Sequence, residues 1–206
     1  AISQNNMLVK QYLRAILELK PKAFVMENVS MLRSEVHRFY MENGEDDLIE
    51  RYQIPVKTTP LHLLDVEYLF DDALELIQRP QLLKQHLWPE SDYMCLNVIF
   101  KAAKNITKME KALQKHRTKL LQTAAVYAEL DAKHHIEIES KRAFGAIVSY
   151  YNDEINAESL SKQIAPAIML QRMLSKAQEI HDHNILVDSY SSENGISANI
   201  RSFAVF

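Results

Sequence analysis

An acid and an amide at the end of a short apolar run are the side chains whose chemistry is easiest to define. Glu27 and Asn28 follow residues 23–26, whose composition predicts a short strand buried on both faces. Open α/β sheets bind ligands beyond the carboxyl ends of their strands. We therefore expect Glu27 and Asn28 at a ligand-binding edge. The alternative is a strand-end acid that caps a neighbouring helix or pairs with a lysine.

The elements around Glu27 are predicted from apolar spacing. Residues 5–20 have apolar side chains at helical intervals, and Pro21 ends that helix. Ser30 is a favourable N-cap for a second helix over residues 31–41. Helix, buried strand and helix in succession are typical of a doubly wound sheet.

A second set of candidate residues is a row of lysines with 3, 4, 3, 4 spacing. This spacing aligns them on one face of a helix, where they form a positively charged stripe able to follow a phosphate backbone. The alternative is the solvated face of an amphipathic helix. The row consists of Lys101, Lys104, Lys108, Lys111 and Lys115.

The middle of the chain is predicted to be helical. Residues 61–78 and 93–104 have helical patterns, and residues 105–150 continue with almost no helix-breaking residue. A returning apolar stripe over residues 160–177 completes a long hairpin or small bundle. Residues 184–190 and 200–206 regain strand character. The predicted organisation is α/β over 1–45, a helical insertion over 46–182, and returning strands over 183–206.

Composition excludes several kinds of site and structure. Three glycines in 206 residues exclude a Gly-rich phosphate loop, and the single cysteine, Cys95, excludes an internal disulfide and a thiolate zinc cluster. Cys95 is predicted to be a small buried side chain. The pairs His134–His135 and His181–His183 point to different helix faces, so no metal site is predicted. No apolar run is long enough to span a membrane.

Residues 21–29 (P-K-A-F-V-M-E-N-V) closely resemble the glutamate motif of the DNA (cytosine-5) methyltransferases. The helix before the motif adds to the resemblance, because Asn6 and Leu8 match family positions that help to hold the methyl donor. Near the other end, Gly195 and Ile196 resemble a family turn, and residues 199–201 resemble its Q-x-R element, with Arg201 as the arginine.

This resemblance implies a fold and a reaction. The expected fold is α/β, a Rossmann-like methyltransferase sheet fragment carrying a large, mainly α-helical insertion, with helices dominant overall. In the family, a cysteine thiolate adds to C6 of a flipped cytosine and C5 takes the methyl group of S-adenosyl-L-methionine. Glu27 would contact N3 and the 4-amino group, and Asn28 would fix the local geometry. Arg201 would orient the site or contact phosphate, and Asn6 and Leu8 would line the donor pocket.

The resemblance also predicts what lies outside this sequence. The family's Pro-Cys-Gln loop and Gly-rich donor loop would precede Ala1, and the segment that reads the DNA sequence would follow Phe206. We therefore expect an internal fragment, inactive alone, whose partners are double-stranded DNA and the rest of the methyltransferase chain. A bacterial source would imply a cytoplasmic, nucleoid-associated enzyme, for example in restriction–modification. The alternative is a non-catalytic helical module that self-associates or binds the DNA backbone.

Overall fold

The computed structural model describes residues 4–23, 25 and 39–203 and is dominated by helices. Eight α-helices are described: α1 Gln4–Leu19, α2 Asp46–Tyr52, α3 Ala73–Gln78, α4 Pro80–His86, α5 Glu90–Ala102, α6 Ile106–Ala128, α7 His135–Tyr151 and α8 Ala157–Asp182. Four strands are described: β1 Phe39–Tyr40, β2 Val56–Leu64, β3 Val187–Ser191 and β4 Ile196–Phe203. The described residues divide into a sheet unit, within 1–62 and 179–206, and a helical unit, 63–178.

The sheet unit is organised around β4, which is hydrogen bonded to each of the other described strands. β1 and β3 both pair with it antiparallel, with Phe39 opposite Phe203 and Tyr190 opposite Ala198. Side chains of β4 alternate between buried and partly buried, which is the two-residue period of a strand with one face on a core. The pairings observed are those of a small antiparallel sheet, so the Rossmann-like sheet stays a prediction.

One cluster in the core of the sheet unit is partly aromatic. Phe39 and Phe203 pack with ring centroids 5.8 Å apart, and Met41 and Ile49 bury their side chains in the same cluster. The register places Phe39 directly opposite Phe203. This cluster therefore attaches α2 to the sheet.

The core of the helical unit is formed mainly by α5, α6, α7 and α8. Leu113 and Leu120 of α6 are fully buried, as the seven-residue spacing predicts, and Phe144 and Leu160 belong to the same cluster. Trp88 packs on Phe144 at 5.1 Å between ring centroids. The predicted bundle of long helices is therefore confirmed.

Asn105 separates α5 from α6. Its side-chain oxygen accepts a hydrogen bond of 3.0 Å from the backbone N–H of Lys108, and its own N–H donates to the Ala102 carbonyl at 2.9 Å. Asparagine is favoured at this position because its side chain satisfies an N–H that has no partner within the helix. The cap fixes where α6 begins and therefore which side chains share its face.

Three predictions of secondary structure were wrong in part. The helix predicted over 61–78 is replaced by the end of β2, a short 3₁₀ helix Val66–Tyr68 and α3, because β4 provides hydrogen-bond partners that local spacing does not reveal. A helix was predicted over 31–41, but Phe39–Tyr40 form strand β1, and residues 31–38 lie outside the described ranges. The helix predicted through 105–150 is interrupted between Ala128 and His135.

The division into units differs from the predicted organisation. The compact units divide after His62 and before Glu179, whereas the predicted boundaries fall at 45/46 and 182/183. The predicted boundaries stay a hypothesis about which residues were inserted. Among the described residues, no helix is both long and apolar enough to cross a membrane.

Candidate functional site

The segment that leads to Glu27 is tethered to α1. The Tyr12 hydroxyl donates a 2.8 Å hydrogen bond to the carbonyl oxygen of Val25, two residues before Glu27. Glu27 and Asn28 themselves, like Phe24 and Met26, lie outside the described residues. The structure therefore gives the anchor of this segment, and the role of Glu27 stays a prediction.

The strand predicted over residues 23–26 is not observed at the two positions that are described. Ala23 and Val25 are both outside any strand, and Val25 is 90% exposed. A strand buried on both faces needs neighbouring strands at its edges and other elements over its faces. At Ala23 and Val25 the described part of the chain supplies neither, so the prediction of burial is wrong there.

Helix α1 carries the two predicted donor-pocket residues. Leu8 is 70% exposed, and Asn6 lies on the same helix, with its side chain outside the described atoms. In contrast, Lys10 is 8% exposed and lies against the sheet unit. Its Nζ is 3.0 Å from Glu42 Oε1 and 3.1 Å from Glu45 Oε2, and it also donates to the Tyr40 carbonyl. Lys10 therefore fixes one face of α1 and leaves Leu8 in solvent.

Arg201 lies on β4 between two carboxylates. Its Nε is 2.6 Å from Asp188 Oδ1 and its Nη1 is 3.3 Å from Asp46 Oδ1. Thr58 donates to the second oxygen of Asp188 at 2.9 Å, which fixes that carboxylate. Arg201 therefore connects β3, β4 and α2.

The predicted turn before β4 contains Gly195, which is followed by Ile196, the first residue of β4. The φ angle of Gly195 is +86°, a conformation that favours glycine.

The lysine row is divided by the cap at Asn105. Lys101 lies on α5 and Lys104 in the connection, so only Lys108, Lys111 and Lys115 share one face of α6. All five are exposed, and none forms an ion pair with a described residue. The opposite face of α6 is buried through residues such as Leu113. The prediction of one continuous stripe of five is wrong, and a stripe of three is what the helix presents.

The helical unit also brings together three polar residues that were not predicted as a site. His86 Nδ1 lies 3.5 Å from Glu137 Oε1, and the rings of His86 and His134 meet edge to face with centroids 5.0 Å apart. Burial lowers the pKa of His86, against the opposing effect of the Glu137 carboxylate. A cleft of about 330 Å³ lies beside both histidines.

Glu137 has its orientation fixed by the start of α7. Its Oε2 accepts hydrogen bonds from the backbone N–H groups of Lys133 at 2.8 Å and His134 at 3.0 Å. Burial opposes the ionisation of Glu137, but those two N–H groups and His86 together hold its pKa below the usual value. The sequence signal for this arrangement is the pattern His-x-x-Glu at the start of a helix. A prediction that considers only the neighbouring histidines His134 and His135 therefore misses it.

Cys95 is 7% exposed on α5, as predicted for a small buried side chain. Burial raises the pKa of its thiol, against the opposing effect of Lys119. A thiol held protonated is a poor nucleophile. The described structure therefore gives Cys95 no features of a catalytic thiol.

Part of the chain matches a known protein family. Residues 2–54 match the family model described as C-5 cytosine-specific DNA methylase. The matched range includes α1, the residues around Glu27, β1 and α2. Searches of curated proteins and of solved structures gave no match. The resemblance predicted from residues 21–29 and from α1 is therefore confirmed for this part of the chain.

Proposed function

We propose that this chain is part of an S-adenosyl-L-methionine-dependent DNA (cytosine-5) methyltransferase. The observation that carries the proposal is the match of residues 2–54 to the C-5 cytosine-specific DNA methylase family. Within that range Glu27 contacts N3 and the 4-amino group of a flipped cytosine. A protonated Glu27 oxygen donates to N3 and makes C6 more electrophilic, while its other oxygen accepts from the amino group. Asn28 holds the surrounding backbone.

The Tyr12 contact gives α1 a positioning role in this proposal. The hydrogen bond from Tyr12 to the Val25 carbonyl restrains the chain two residues before Glu27. Lys10, paired with Glu42 and Glu45, attaches α1 to the sheet unit. The Glu27 carboxyl group must contact two atoms of the base at once. Methyl transfer would therefore be slower if the backbone that carries Glu27 were free to move.

We assign the methyl donor to the exposed face of α1. The apolar side chain of Leu8 is 70% exposed, whereas Lys10, two residues later on α1, is buried. An apolar side chain left uncovered in this way suits contact with a ligand, and Asn6 is assigned to the same pocket by the family resemblance. S-adenosyl-L-methionine supplies the methyl group when bound.

Arg201 forms ion pairs with Asp188 and Asp46. Of its two proposed roles, these ion pairs favour orienting β4 over contacting a phosphate.

DNA is the proposed macromolecular partner, together with the rest of the methyltransferase chain. Lys108, Lys111 and Lys115 form an exposed row whose charges have no acidic partner among the described side chains. Such a row binds phosphates without reading sequence and depends strongly on salt. We assign it a supporting contact to the DNA backbone.

The test is methyl transfer by the complete protein. Incubation with labelled S-adenosyl-L-methionine and DNA should place the label on C5 of cytosine, detected after digestion to nucleosides. Labelled adenine, or no label from a protein that still binds DNA, would contradict the proposal.

A second candidate is a non-catalytic helical module that self-associates or binds the DNA backbone. The observation that favours it is the helical unit, which has its own extensive core and the lysine row. Sedimentation velocity of the 206-residue protein distinguishes the two candidates. Two results together would support the non-catalytic module. The sedimentation coefficient of the 206-residue protein would rise with its concentration, and the complete protein would show no methyl transfer.

A further inference from the structure

The cluster of His86, His134 and Glu137 has the composition of a metal site. It belongs entirely to the helical unit, outside the residues 2–54 that match the methylase family. The three residues come from the end of α4 and the start of α7. Two imidazoles and one carboxylate are the protein ligands of one class of zinc site, in which the fourth position is left to water or substrate.

The distances agree with one shared ion. One ligand atom from each residue lies within 4.8 Å of the other two. Tetrahedral zinc with bonds of about 2.0–2.1 Å separates its ligand atoms by about 3.4 Å. The 3.5 Å between His86 Nδ1 and Glu137 Oε1 already has this value. The His134 side chain is exposed and touches the His86 ring only edge to face, so its rotation closes the remaining gap.

The surroundings hold the other two ligands in place. The His86 carbonyl accepts a 2.8 Å hydrogen bond from the buried side-chain amide of Gln171, and the His86 side chain is 5% exposed. Glu137 has one oxygen bound by two backbone N–H groups, which leaves the other directed at His86. Such outer contacts fix ligand orientation before the ion arrives.

We propose that His86, His134 and Glu137 bind a zinc ion whose fourth position opens to the cleft lined by both histidines. The cleft, of about 330 Å³, admits water or a small ligand beside the ion. The acid Glu75 also lines the cleft and pairs there with Arg79 at 2.6 Å, so the lining does not select an anionic ligand.

Zinc binding by the metal-stripped 206-residue protein tests this proposal, with a chromophoric chelator as competitor. We expect one ion per chain. The variant H134N removes an exposed ligand without disturbing the core and should weaken affinity by about 100-fold or more. The matched control is H135N, which changes the adjacent histidine. His135 stacks on Phe70 at 4.8 Å and is not one of the three ligands, so its variant should bind zinc like the parent protein.

Two further measurements strengthen the test. E137Q keeps an oxygen for the N–H groups at the start of α7 but loses the charge, and it should also weaken zinc binding. Cobalt should give the visible spectrum of a tetrahedral centre in the parent protein and not in H134N. Absence of stoichiometric zinc binding, or equal loss of affinity in H134N and H135N, would overturn the proposal. Both results are independent of methyl transfer, so the two proposals fail separately.

Discussion

Arg201 Nε lies 2.6 Å from Asp188 Oδ1 across the pairing of β4 with β3. The same guanidinium also reaches Asp46 at the start of α2. A phosphate would have to displace carboxylates that the fold already provides. The geometry therefore favours a role for Arg201 in holding α2 and β3 to the central strand.

We predict that R201Q lowers the free energy of unfolding by about 1 kcal/mol, because the ion pairs are partly exposed and such pairs contribute little more. Urea denaturation measures this change. D188N in the R201Q background should add less than it does alone, since the two side chains share one interaction. A loss of DNA affinity with unchanged stability would instead indicate a phosphate contact.

Replacement of Lys10 should be much more damaging. In K10M the partly buried carboxylates of Glu42 and Glu45 lose their shared cation, and breaking a buried pair costs about 3–5 kcal/mol. Urea denaturation of K10M is compared with that of K22M, which removes an exposed lysine from the loop after α1. Equal stability of the two variants would show that the Lys10 cluster contributes nothing.

The lysine row predicts a change in salt dependence. Replacing Lys108, Lys111 and Lys115 by glutamine should reduce the slope of log K against log salt by up to about 3, at about 0.9 for each phosphate that is no longer neutralised. Fluorescence anisotropy with a DNA duplex at several salt concentrations measures the slope. The control with the same net charge replaces the exposed lysines Lys22, Lys133 and Lys162. If both triple variants alter the slope equally, the row has no specific part in binding.

Glu27→Gln in the complete enzyme should reduce turnover by about 10²–10⁴-fold, the usual contribution of a proton-transferring side chain. DNA affinity should change far less, because the base contact is one among many. Glu18→Gln, on the exposed surface of α1, is the control and should leave both quantities unchanged. Equal losses of turnover and affinity in E27Q would exclude the role as an acid.

Cys95 should react slowly with thiol reagents in the folded protein. Its burial and the raised pKa of its thiol both reduce the accessible thiolate. We expect iodoacetamide to modify the native protein at least about 10-fold more slowly than the urea-unfolded protein. Similar rates in the two states would mean that Cys95 is accessible and reactive.

Local patterns predicted the helices well where one face is apolar over several turns. Leu113 and Leu120 are buried as their spacing requires, and Pro21 follows the end of α1. The same reasoning extended a helix through residues 129–134, because it did not weigh the hydrogen bonds by which Glu137 starts a new helix. It also missed β2, whose hydrogen-bond partner lies far along the chain in β4.

The candidate sites show the same limit. The family resemblance around Glu27 could be recognised from the sequence because residues 21–29, which carry it, are contiguous. The match over 2–54 confirms this resemblance. The partners of Lys10 lie 32 and 35 residues away, and the cluster at His86 needs residues from α7. The spacing of residues along the chain does not predict contacts between residues that are distant in sequence. These contacts can be identified only from the fold.

The central position of β4 has a consequence for the order of folding. Ser202 donates a hydrogen bond to the Lys57 carbonyl, a contact between residues 145 positions apart. In an unfolded chain that pairing must close a very long loop, whereas contacts between neighbouring helices close short ones. We expect the helical unit to collapse first and so to shorten the loop. The sheet would then form last, and its assembly would set the rate of refolding.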